Sequence, residues 1–446
     1  MLWPLQPGTR ILFANFPAEG HFNPLTGLAV HLKEAGYDVR WYTSNSFASR
    51  IMKMQIKHYP FKAAKDVNGM DELLVSRKRK KTLIGKMKYD LIHGFILRAP
   101  EYFEDISDIY KTFPFDILIA DCAFTAIPFV ADKLRVPVIS IGVLPLIASS
   151  RDLAPVGLGM TPSYTRGGKL KQQLLRWLCS QIILKGPNRI MRKLLDQYYI
   201  SHENDNVFDL IVSKSTLLLQ SGTPGFEYDR SDMPENVRFI GPLLPVDKKK
   251  SELWFNEKLL HYSRMVFVTQ GTVETDVEKL IVPALEAFRN SGVLVIVVTG
   301  GSSTASLRKR FPQDNFVIED FIPYADVMPY ADAYISNGGY GGVMLGVHHR
   351  LPMVVAGTYE GKNEINARVG FFKIGINLGT ERPSSTSIRN AVEKLIIDPS
   401  FRNNLERLKA EFGEYNPGEL CEGHVMDLLA NEYYDRARAT RQLNYN

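Results

Sequence analysis

The chain has 446 residues, more than a single hydrophobic core usually organises, so two domains are expected. Hydrophobic residues make up 45% of the sequence and charged residues 23%, which is typical of a soluble globular protein. The formal net charge of +6 is mild for this length, and no motif for DNA or RNA recognition is present. A nucleic-acid partner is therefore not expected.

The three cysteines, Cys122, Cys179 and Cys421, lie far apart and follow no paired or metal-binding spacing, which argues against a disulfide scaffold. No basic segment or apolar run of signal-peptide length precedes the first predicted strand. The most apolar windows, such as residues 136–148, are too short to span a bilayer. We expect a cytoplasmic protein without stable membrane insertion.

In the first half of the chain, strand patterns alternate with helical patterns. A first strand is predicted at residues 10–15, and helical spacing of apolar residues follows over residues 24–34. One or two helices are predicted over residues 83–110. Further strands are predicted at residues 39–42, 115–120 and 136–141. This alternation predicts a parallel sheet with helices on both faces.

Residues 165–199 form a basic, amphipathic helical region. Its functional interpretations are a lid on the acceptor side of a cleft or a surface that touches a membrane. The structural alternative is a packed helix with a solvated face. The sequence leaves these alternatives open.

The pattern of the first half ends near residue 242, and residues 243–252, with one proline and three consecutive lysines, are predicted to be a linker. Five more strands are predicted at residues 265–269, 293–298, 316–319, 333–336 and 352–356. We therefore predict an α/β fold of two doubly wound parallel-sheet domains, residues 1–242 and 253–420, that face each other across a ligand-binding cleft.

A glycine cluster lies where the strand at 333–336 passes into a helical pattern, and it comprises Gly338, Gly339, Gly341 and Gly342. Glycines there let backbone N–H groups and the positive end of a helix approach a ligand closely, which favours a phosphate group. A tight turn without a ligand is the alternative. Further along, Pro352-Met353-Val354-Val355 is followed by Asn366-Ala367-Arg368-Val369.

Together these segments resemble the donor-binding signature of the UDP-glycosyltransferase family. The resemblance extends over nearly the entire chain, starting at Gly20-His21, and is nearest to bacterial enzymes that glycosylate macrolides and flavonoids, with the flavonoid rhamnosyltransferase-like group as the preferred neighbour. It implies the two-domain GT-B fold, in which the C-terminal helix, here residues 421–446, crosses back to the first domain.

His21 and Asp121 are the candidate catalytic residues. An imidazole, with a reference pKa of about 6.5, accepts a hydroxyl proton near neutral pH, although a lone loop histidine is more often structural. Asp121 directly follows an apolar strand of the same predicted sheet, where it either orients the histidine or caps a helix. The resemblance implies that His21 is the general base and that Asp121 orients it.

The donor site is predicted from several segments of the second domain. Gly271 and Thr272 end a strand in a turn that permits close approach to a diphosphate, with a simple turn and N-cap as the alternative. Phe321, in a segment that also contains Ile322 and Tyr324, resembles the aromatic residue that stacks on the nucleotide base in the family. A core phenylalanine is the alternative for Phe321.

The sequence departs from the family at three places in the donor site. Asn337 replaces the usual histidine and brings no positive charge to the diphosphate. Leu345 replaces the glutamate that grips the ribose hydroxyls in many users of UDP-glucose, which favours a dTDP donor. Lys362 and Asn363 replace the pair that reads the sugar, so Glu360 or Asn363 is predicted to bind sugar hydroxyls, with a solvated turn as the alternative.

The resemblance implies an inverting, metal-independent glycosyltransferase that uses no cofactor. It would move a sugar from a donor of the dTDP-rhamnose or UDP-glucose type to a hydroxyl of a small hydrophobic acceptor, aromatic in character, such as a flavonoid or a macrolide. Phe22, Phe124 and Leu144 are the predicted acceptor contacts. The alternatives are a nucleotide-sugar epimerase and a non-catalytic helper protein that retains the fold.

Overall fold

The computed structural model describes residues 8–66, 79, 81–203, 205–245, 253–271, 274–359 and 361–443. The first domain is built on a seven-stranded parallel sheet. Its strands are β1 (Arg10–Ala14), β2 (Asp38–Thr43), β3 (Lys57–Pro60), β4 (Ile117–Asp121), β5 (Val138–Gly142), β6 (Leu217–Ser221) and β7 (Val237–Gly241). Their spatial order is β3-β2-β1-β4-β5-β6-β7, so the order reverses between β1 and β4.

Helices cover both faces of this sheet and bury its apolar strands. They are α1 (Glu19–Glu34), α2 (Ala48–Lys53), α3 (Leu83–Tyr89), α4 (Ala99–Thr112), α5 (Ile127–Phe129), α6 (Arg166–Leu178), α7 (Lys185–Gln197) and α8 (Val207–Lys214). Short π-helical turns occur at Asp90–Phe95, Val130–Leu134 and Cys179–Ile183, and short 3-10 turns at Asn45–Phe47, Ile96–Arg98 and Pro224–Phe226.

The second domain is built on a six-stranded parallel sheet. Its strands are β8 (Met265–Thr269), β9 (Leu294–Val298), β10 (Phe316–Glu319), β11 (Ala333–Ser336), β12 (Met353–Val355) and β13 (Gly375–Asn377), in the order β10-β9-β8-β11-β12-β13. Its helices are α9 (Ile281–Ala287), α10 (Thr304–Arg310), α11 (Tyr324–Val327), α12 (Tyr340–His348), α13 (Lys362–Phe371), α14 (Ser385–Ile397) and α15 (Ser400–Phe412). The prediction of two doubly wound parallel-sheet domains is confirmed.

Two local features differ from the sequence prediction. Helix α1 begins at Glu19, five residues before the predicted start at Pro24, and so places His21 in its first turn. Backbone N–H groups of His21 and Phe22 donate to the carbonyl oxygen of Ala18, which closes that turn before the proline is reached. Strands β3, β6, β7 and β13 were not predicted, and residues 246–252 of the predicted linker lie outside the described residues.

A final helix, α16 (Pro417–Leu443), packs on α1 of the first domain. Cys421 and Val425 of this helix are fully buried in the core of the first domain. Glu422 Oε2 lies 2.7 Å from His31 Nε2 on α1. Helix α16, which follows the second domain in sequence, therefore packs into the core of the first domain.

Removing two methyl groups from Val425 by Val425→Ala should lower the free energy of unfolding by about 2 kcal/mol, because the cavity lies in a core that cannot collapse fully. Chemical denaturation measures this change. Leu420→Ala, at a position 36% exposed on the same helix, is the control and should cost much less. Equal losses in the two variants would contradict the packing of α16.

Candidate active site

The first half of the site lies where the strand order of the first sheet reverses. β1 and β4 are neighbours, with Ala14 opposite Ala120, so the segments that follow them meet at the carboxyl edge. There His21 Nδ1 lies 2.6 Å from Asp121 Oδ1. The Asp121 side chain is fully buried, and the His21 side chain is 15% exposed. The structure thus brings the two predicted catalytic residues together.

Asp121 is held in place by two backbone donors as well as by His21. The N–H of Phe16 donates to Oδ2 at 2.6 Å, and the N–H of Ala123 donates to Oδ1 at 2.8 Å. The carboxylate faces the histidine and accepts from the turn that follows β4, but it caps no helix, because the next helix begins at Ile127 with Ala126 as its N-cap. A buried carboxylate with three donors has little freedom to rotate, so the imidazole that it holds is fixed as well.

A carboxylate only accepts hydrogen bonds, so Nδ1 of His21 is assigned as the protonated nitrogen and Nε2 carries the lone pair. Within the described residues, Nε2 has no hydrogen-bond partner. Phe16 packs edge-on against the imidazole, with ring centroids 5.4 Å apart, and stacks on Phe95 at 4.4 Å. Sequence reasoning missed both rings, although a phenylalanine in the turn that precedes the histidine was a usable signal.

Cys122 follows Asp121 directly but offers no nucleophile. Burial raises the pKa of its thiol to about 12, and the neighbouring Asp121 carboxylate adds to this effect. At neutral pH the side chain is a thiol, which is a weak nucleophile.

The second half of the site lies where the strand order of the second sheet reverses, between β8 and β11. Gly271 follows β8 and has a positive φ of 80°, and Asn337 follows β11. The side-chain amide of Asn337 donates to the carbonyl oxygen of Gln270 and lies against Gly271, where a Cβ would come within 3.0 Å of it. Asn337 is thus used to join two strand ends.

Gly338 has less space around its Cα than the other glycines of the turn. It has a φ of +84°, and a Cβ there would lie 1.7 Å from Oδ1 of the fully buried Asn366. The amide of Asn366 in turn donates to the carbonyl oxygen of Gly357 at 2.9 Å, after β12. Gly339 precedes α12 and, like Gly341, has open space where a Cβ would be. The turn therefore presents bare backbone at the start of a helix, the geometry that suits a phosphate group.

The other predicted donor contacts differ in placement. Phe321 is 77% exposed beyond the end of β10, as a stacking platform requires, whereas the Ile322 side chain is buried in the core of the second domain. A Cβ on Gly342 would come 3.0 Å from the Tyr334 hydroxyl, so this glycine serves packing inside α12. Thr272 and Glu360 lie outside the described residues.

Asn363 lies in the first turn of a helix and contacts the first domain. It begins α13 together with Lys362, and its side-chain amide donates to the carbonyl oxygen of Gly157 in the first domain. The residue predicted to read the sugar therefore bridges the two domains, because α13 runs along their boundary.

Two of the three predicted acceptor contacts lie in the hydrophobic core. Phe22 is 1% exposed and stacks on Phe47, and Phe124 is fully buried against Tyr102. Neither ring has a surface to offer an acceptor, because both point from the sheet edge into the layer between sheet and helices. Leu144 is partly buried and packs against the cores of both domains, which places it at their boundary.

Comparisons with known proteins agree with this architecture. Residues 293–425 match the family model described as "Erythromycin biosynthesis protein CIII-like, C-terminal domain". The chain is 35% identical over 409 residues to 4'-demethylrebeccamycin synthase from Lentzea aerocolonigenes, an alignment that covers 91% of this chain and 96% of that protein. The chain belongs to the UDP-glycosyltransferase family. It is also 27% identical over 425 residues to UDP-glycosyltransferase 2 of Phaeomoniella chlamydospora, covering 90% and 92% of the two chains.

Solved structures show the same fold. The kitacinnamycin glycotransferase superposes with a TM-score of 0.74 at 17% identity, covering 94% of this chain and 98% of that one. The calicheamicin glycosyltransferase CalG4 gives 0.72 at 19% identity, covering 95% and 98%. The GT-B fold implied by the sequence resemblance is confirmed.

In this UDP-glycosyltransferase, a buried cluster of charges joins the two domains. Arg368 on α13 forms an ion pair with Glu227 of the first domain and lies over the ring of Tyr228, 4.1 Å from its centroid. The guanidinium also lies 3.3 Å from Glu364 one turn earlier on α13. Arg230 completes the cluster 3.4 Å from Glu227, which makes it neutral overall.

Each carboxylate of this cluster also accepts backbone N–H groups of the first domain. Glu227 accepts from Leu146 at 3.0 Å, close to Leu144. Glu364 accepts from Gly157 and Gly159 at 2.8 Å each. Helix α13 and its ion-pair partner Glu227 are thus tied to two first-domain loops. Sequence reasoning missed this role because Glu227 and Arg368 are 141 positions apart.

No three His, Cys, Asp or Glu side chains in the described ranges are grouped as they would be around a metal ion. Among the helices of those same ranges, none is both long enough and apolar enough to cross a membrane.

Gly338→Ala should destabilise the protein, because alanine is strained at a φ of +84° and its Cβ would displace Asn366. The backbone term alone is about 1–2 kcal/mol. Thermal melting measures the loss. Gly339→Ala is the matched control, with an ordinary φ of −64° and open space at its Cβ, and should melt close to the wild type. A Gly338→Ala variant as stable as Gly339→Ala would refute the tight turn.

Arg368→Met should lower stability by about 3–5 kcal/mol, because it leaves the buried Glu364 without its cation and Glu227 with Arg230 alone. Chemical denaturation of the variant measures the change. Arg350→Met, which removes an exposed ion pair with Glu406, should cost less than about 1 kcal/mol. If the two variants lose similar stability, the buried cluster does not join the domains as described.

Proposed function

We propose that this protein is an inverting, metal-independent glycosyltransferase. It transfers a sugar from a nucleoside diphosphate donor to a hydroxyl group of a small hydrophobic acceptor such as a flavonoid or a macrolide. The observation that carries the proposal is the His21–Asp121 pair, at 2.6 Å, at the carboxyl edge of the sheet. Helix α1, which begins at this edge, approaches α12 of the donor side, with Cα atoms of the two within 8 Å of each other.

The reaction begins with the acceptor hydroxyl near Nε2 of His21. Its oxygen attacks the anomeric carbon from the face opposite the leaving group, the bond between that carbon and the diphosphate oxygen breaks, and the hydroxyl proton passes to Nε2. Asp121 stabilises the imidazolium that forms. One new glycosidic bond and a nucleoside diphosphate result, with inversion at the anomeric carbon.

The leaving diphosphate gains charge as it departs, and the backbone N–H groups at the start of α12 stabilise it together with the helix dipole. Because Asn337 brings no positive charge and its amide is engaged with Gln270, this stabilisation rests on backbone groups of the glycine turn. The scheme requires no metal ion and no cofactor besides the nucleotide sugar.

The half-buried rings of Phe16 and Phe95 form the apolar wall beside His21, and we assign them the acceptor contact in place of Phe22 and Phe124. A stacked pair of rings favours an aromatic acceptor, because flat aromatic surfaces gain from both burial and ring contact. Names of similar proteins fit a natural-product acceptor, since rebeccamycin and calicheamicin enzymes are among them.

For the donor, we propose a dTDP-sugar, with dTDP-rhamnose or UDP-glucose as the types to compare. Leu345 on α12 is partly buried against the core of the second domain, so the position offers no acceptor to a ribose hydroxyl. Among structures of the same fold, the spinosyn rhamnosyltransferase SpnG is described as complexed with thymidine diphosphate, which is compatible with such a donor.

His21→Ala should lower kcat by at least about 100-fold, because it removes the general base. Mass spectrometry of reactions that combine nucleotide sugars with phenolic and macrolide acceptors identifies the substrates and measures the loss. His31→Ala is the matched control, since His31 lies on the same helix and also faces a carboxylate, that of Glu422. Undiminished product in His21→Ala would remove this mechanism.

Leu345→Glu should raise the ratio of kcat/KM for UDP-glucose to that for dTDP-rhamnose, because a carboxylate at this place can accept from a 2′-hydroxyl. Initial rates of the wild type and of Leu345→Glu, each with both donors and one acceptor, measure the ratio. A wild-type enzyme that already prefers UDP-glucose strongly would contradict the dTDP proposal.

A further inference from the structure

Helix α6 exposes an apolar face that nothing in the described structure covers. Its thirteen residues include a single buried one, Gln172. Leu170, Leu174 and Trp177 follow one another at a spacing of four and three residues and are 67%, 54% and 59% exposed. Ile182, in the π-helical turn that follows, is 50% exposed. We call these four side chains the apolar stripe.

The opposite face of α6 is fixed to the first domain. Gln172 donates to the carbonyl oxygen of Thr161 at 3.1 Å, and Arg176 donates to the carbonyl oxygen of Leu153. At about 100° per residue, the three stripe residues of α6 lie roughly 150° around the helix from these two anchors. The stripe therefore points away from the domain that holds the helix, and its exposure follows from the way the helix is attached.

Lysines flank the stripe on both sides. Lys169 and Lys171 are exposed and lie roughly 100° to either side of it around the helix. From residue 153 to residue 195 the chain has eight lysines and arginines and no aspartate or glutamate. The whole chain has a formal charge of only +6, so the remainder of the protein is slightly negative. The positive charge is concentrated around the stripe.

We propose that this face docks the protein on an anionic lipid surface as a peripheral contact. A helix that lies in a membrane interface has apolar side chains on one face, basic side chains at its flanks and often a tryptophan at the level of the headgroups. The apolar stripe supplies the apolar face, Trp177 is the tryptophan, and Lys169 and Lys171 are the basic flanks. Only the stripe enters the interface, and the helix does not cross the bilayer.

Other occupants fit this face less well. A second copy of the chain would set two strongly basic surfaces against each other, which is unfavourable at short range. A nucleic acid would use the lysines but leave leucine and tryptophan side chains against phosphates. Anionic lipid headgroups attract the lysines, and the apolar stripe can be buried at the boundary with the acyl chains. The inference is independent of the proposed function, although an enzyme bound to lipid would meet hydrophobic acceptors where they are concentrated.

Vesicle co-sedimentation tests the proposal, using phosphatidylcholine vesicles with and without phosphatidylserine. The wild-type protein should bind the anionic vesicles at least about tenfold more tightly, because several basic residues each contribute near a charged surface. Binding should weaken with added salt, and the tryptophan emission should shift to shorter wavelength.

Two double substitutions separate the contribution of the apolar stripe to vesicle binding from that of the flanking lysines. Leu174→Gln with Trp177→Gln should abolish binding, and Lys169→Glu with Lys171→Glu should remove the preference for anionic vesicles. The controls are Ile397→Gln, at an apolar position 80% exposed on the second domain, and Lys309→Glu on α10, and both should bind as the wild type does. Unchanged thermal melting shows that each variant is folded.

Several results would overturn the proposal. They are no binding to either vesicle, equal binding to both vesicles, or full binding by the stripe variant. A dimer in solution that the stripe variant abolishes would assign the face to self-association instead. Loss of turnover in the stripe variant with vesicle binding retained would assign the stripe to the acceptor.

Discussion

In a parallel sheet whose strand order reverses, the two strands at the reversal send their connections to opposite faces and leave a crevice at the carboxyl edge. This protein has two such sheets, with reversals at β1/β4 and β8/β11. His21 and Asp121 occupy the first crevice, and Gly271 and Asn337 occupy the second. The topology alone therefore decides which residues, distant in sequence, meet in the site.

The position of the two crevices relative to each other depends on a buried cluster of ion pairs between the domains. The neutral cluster of Glu227, Arg230, Glu364 and Arg368 is buried between the domains, and its carboxylates also accept from loops of the first domain. Buried charges of this sort hold a particular arrangement because each loses much when it is separated from its partners. Since α13 also carries Asn363 and Asn366, a shift of this cluster would disturb both the contact of Asn363 with Gly157 and the glycine turn against which Asn366 packs.

Much of the fold could be read from the sequence because buried parallel strands are nearly continuous apolar runs. Asp121 was identified for the same reason, as a polar residue directly after such a run. Strands β3, β7 and β13 escaped prediction because their burial is incomplete or their length short. β6 was missed although it is as long and as buried as β1. Phe22 and Phe124 were misplaced because the direction of a side chain depends on where a helix or turn begins, and α1 begins earlier than its proline suggested. Phe95 escaped because a π-helical turn shifts the phase of the helical pattern that precedes it.

We propose that the first domain supplies the base and the second domain binds the donor. Calorimetric titration of a nucleoside diphosphate into the wild type and His21→Ala, alongside their turnover, tests this division most directly. His21→Ala should bind the nucleotide within about twofold of the wild type while turnover is lost, because a base that acts only on the acceptor contributes little to ground-state donor binding. A loss of nucleotide affinity that matches the loss of turnover would contradict it.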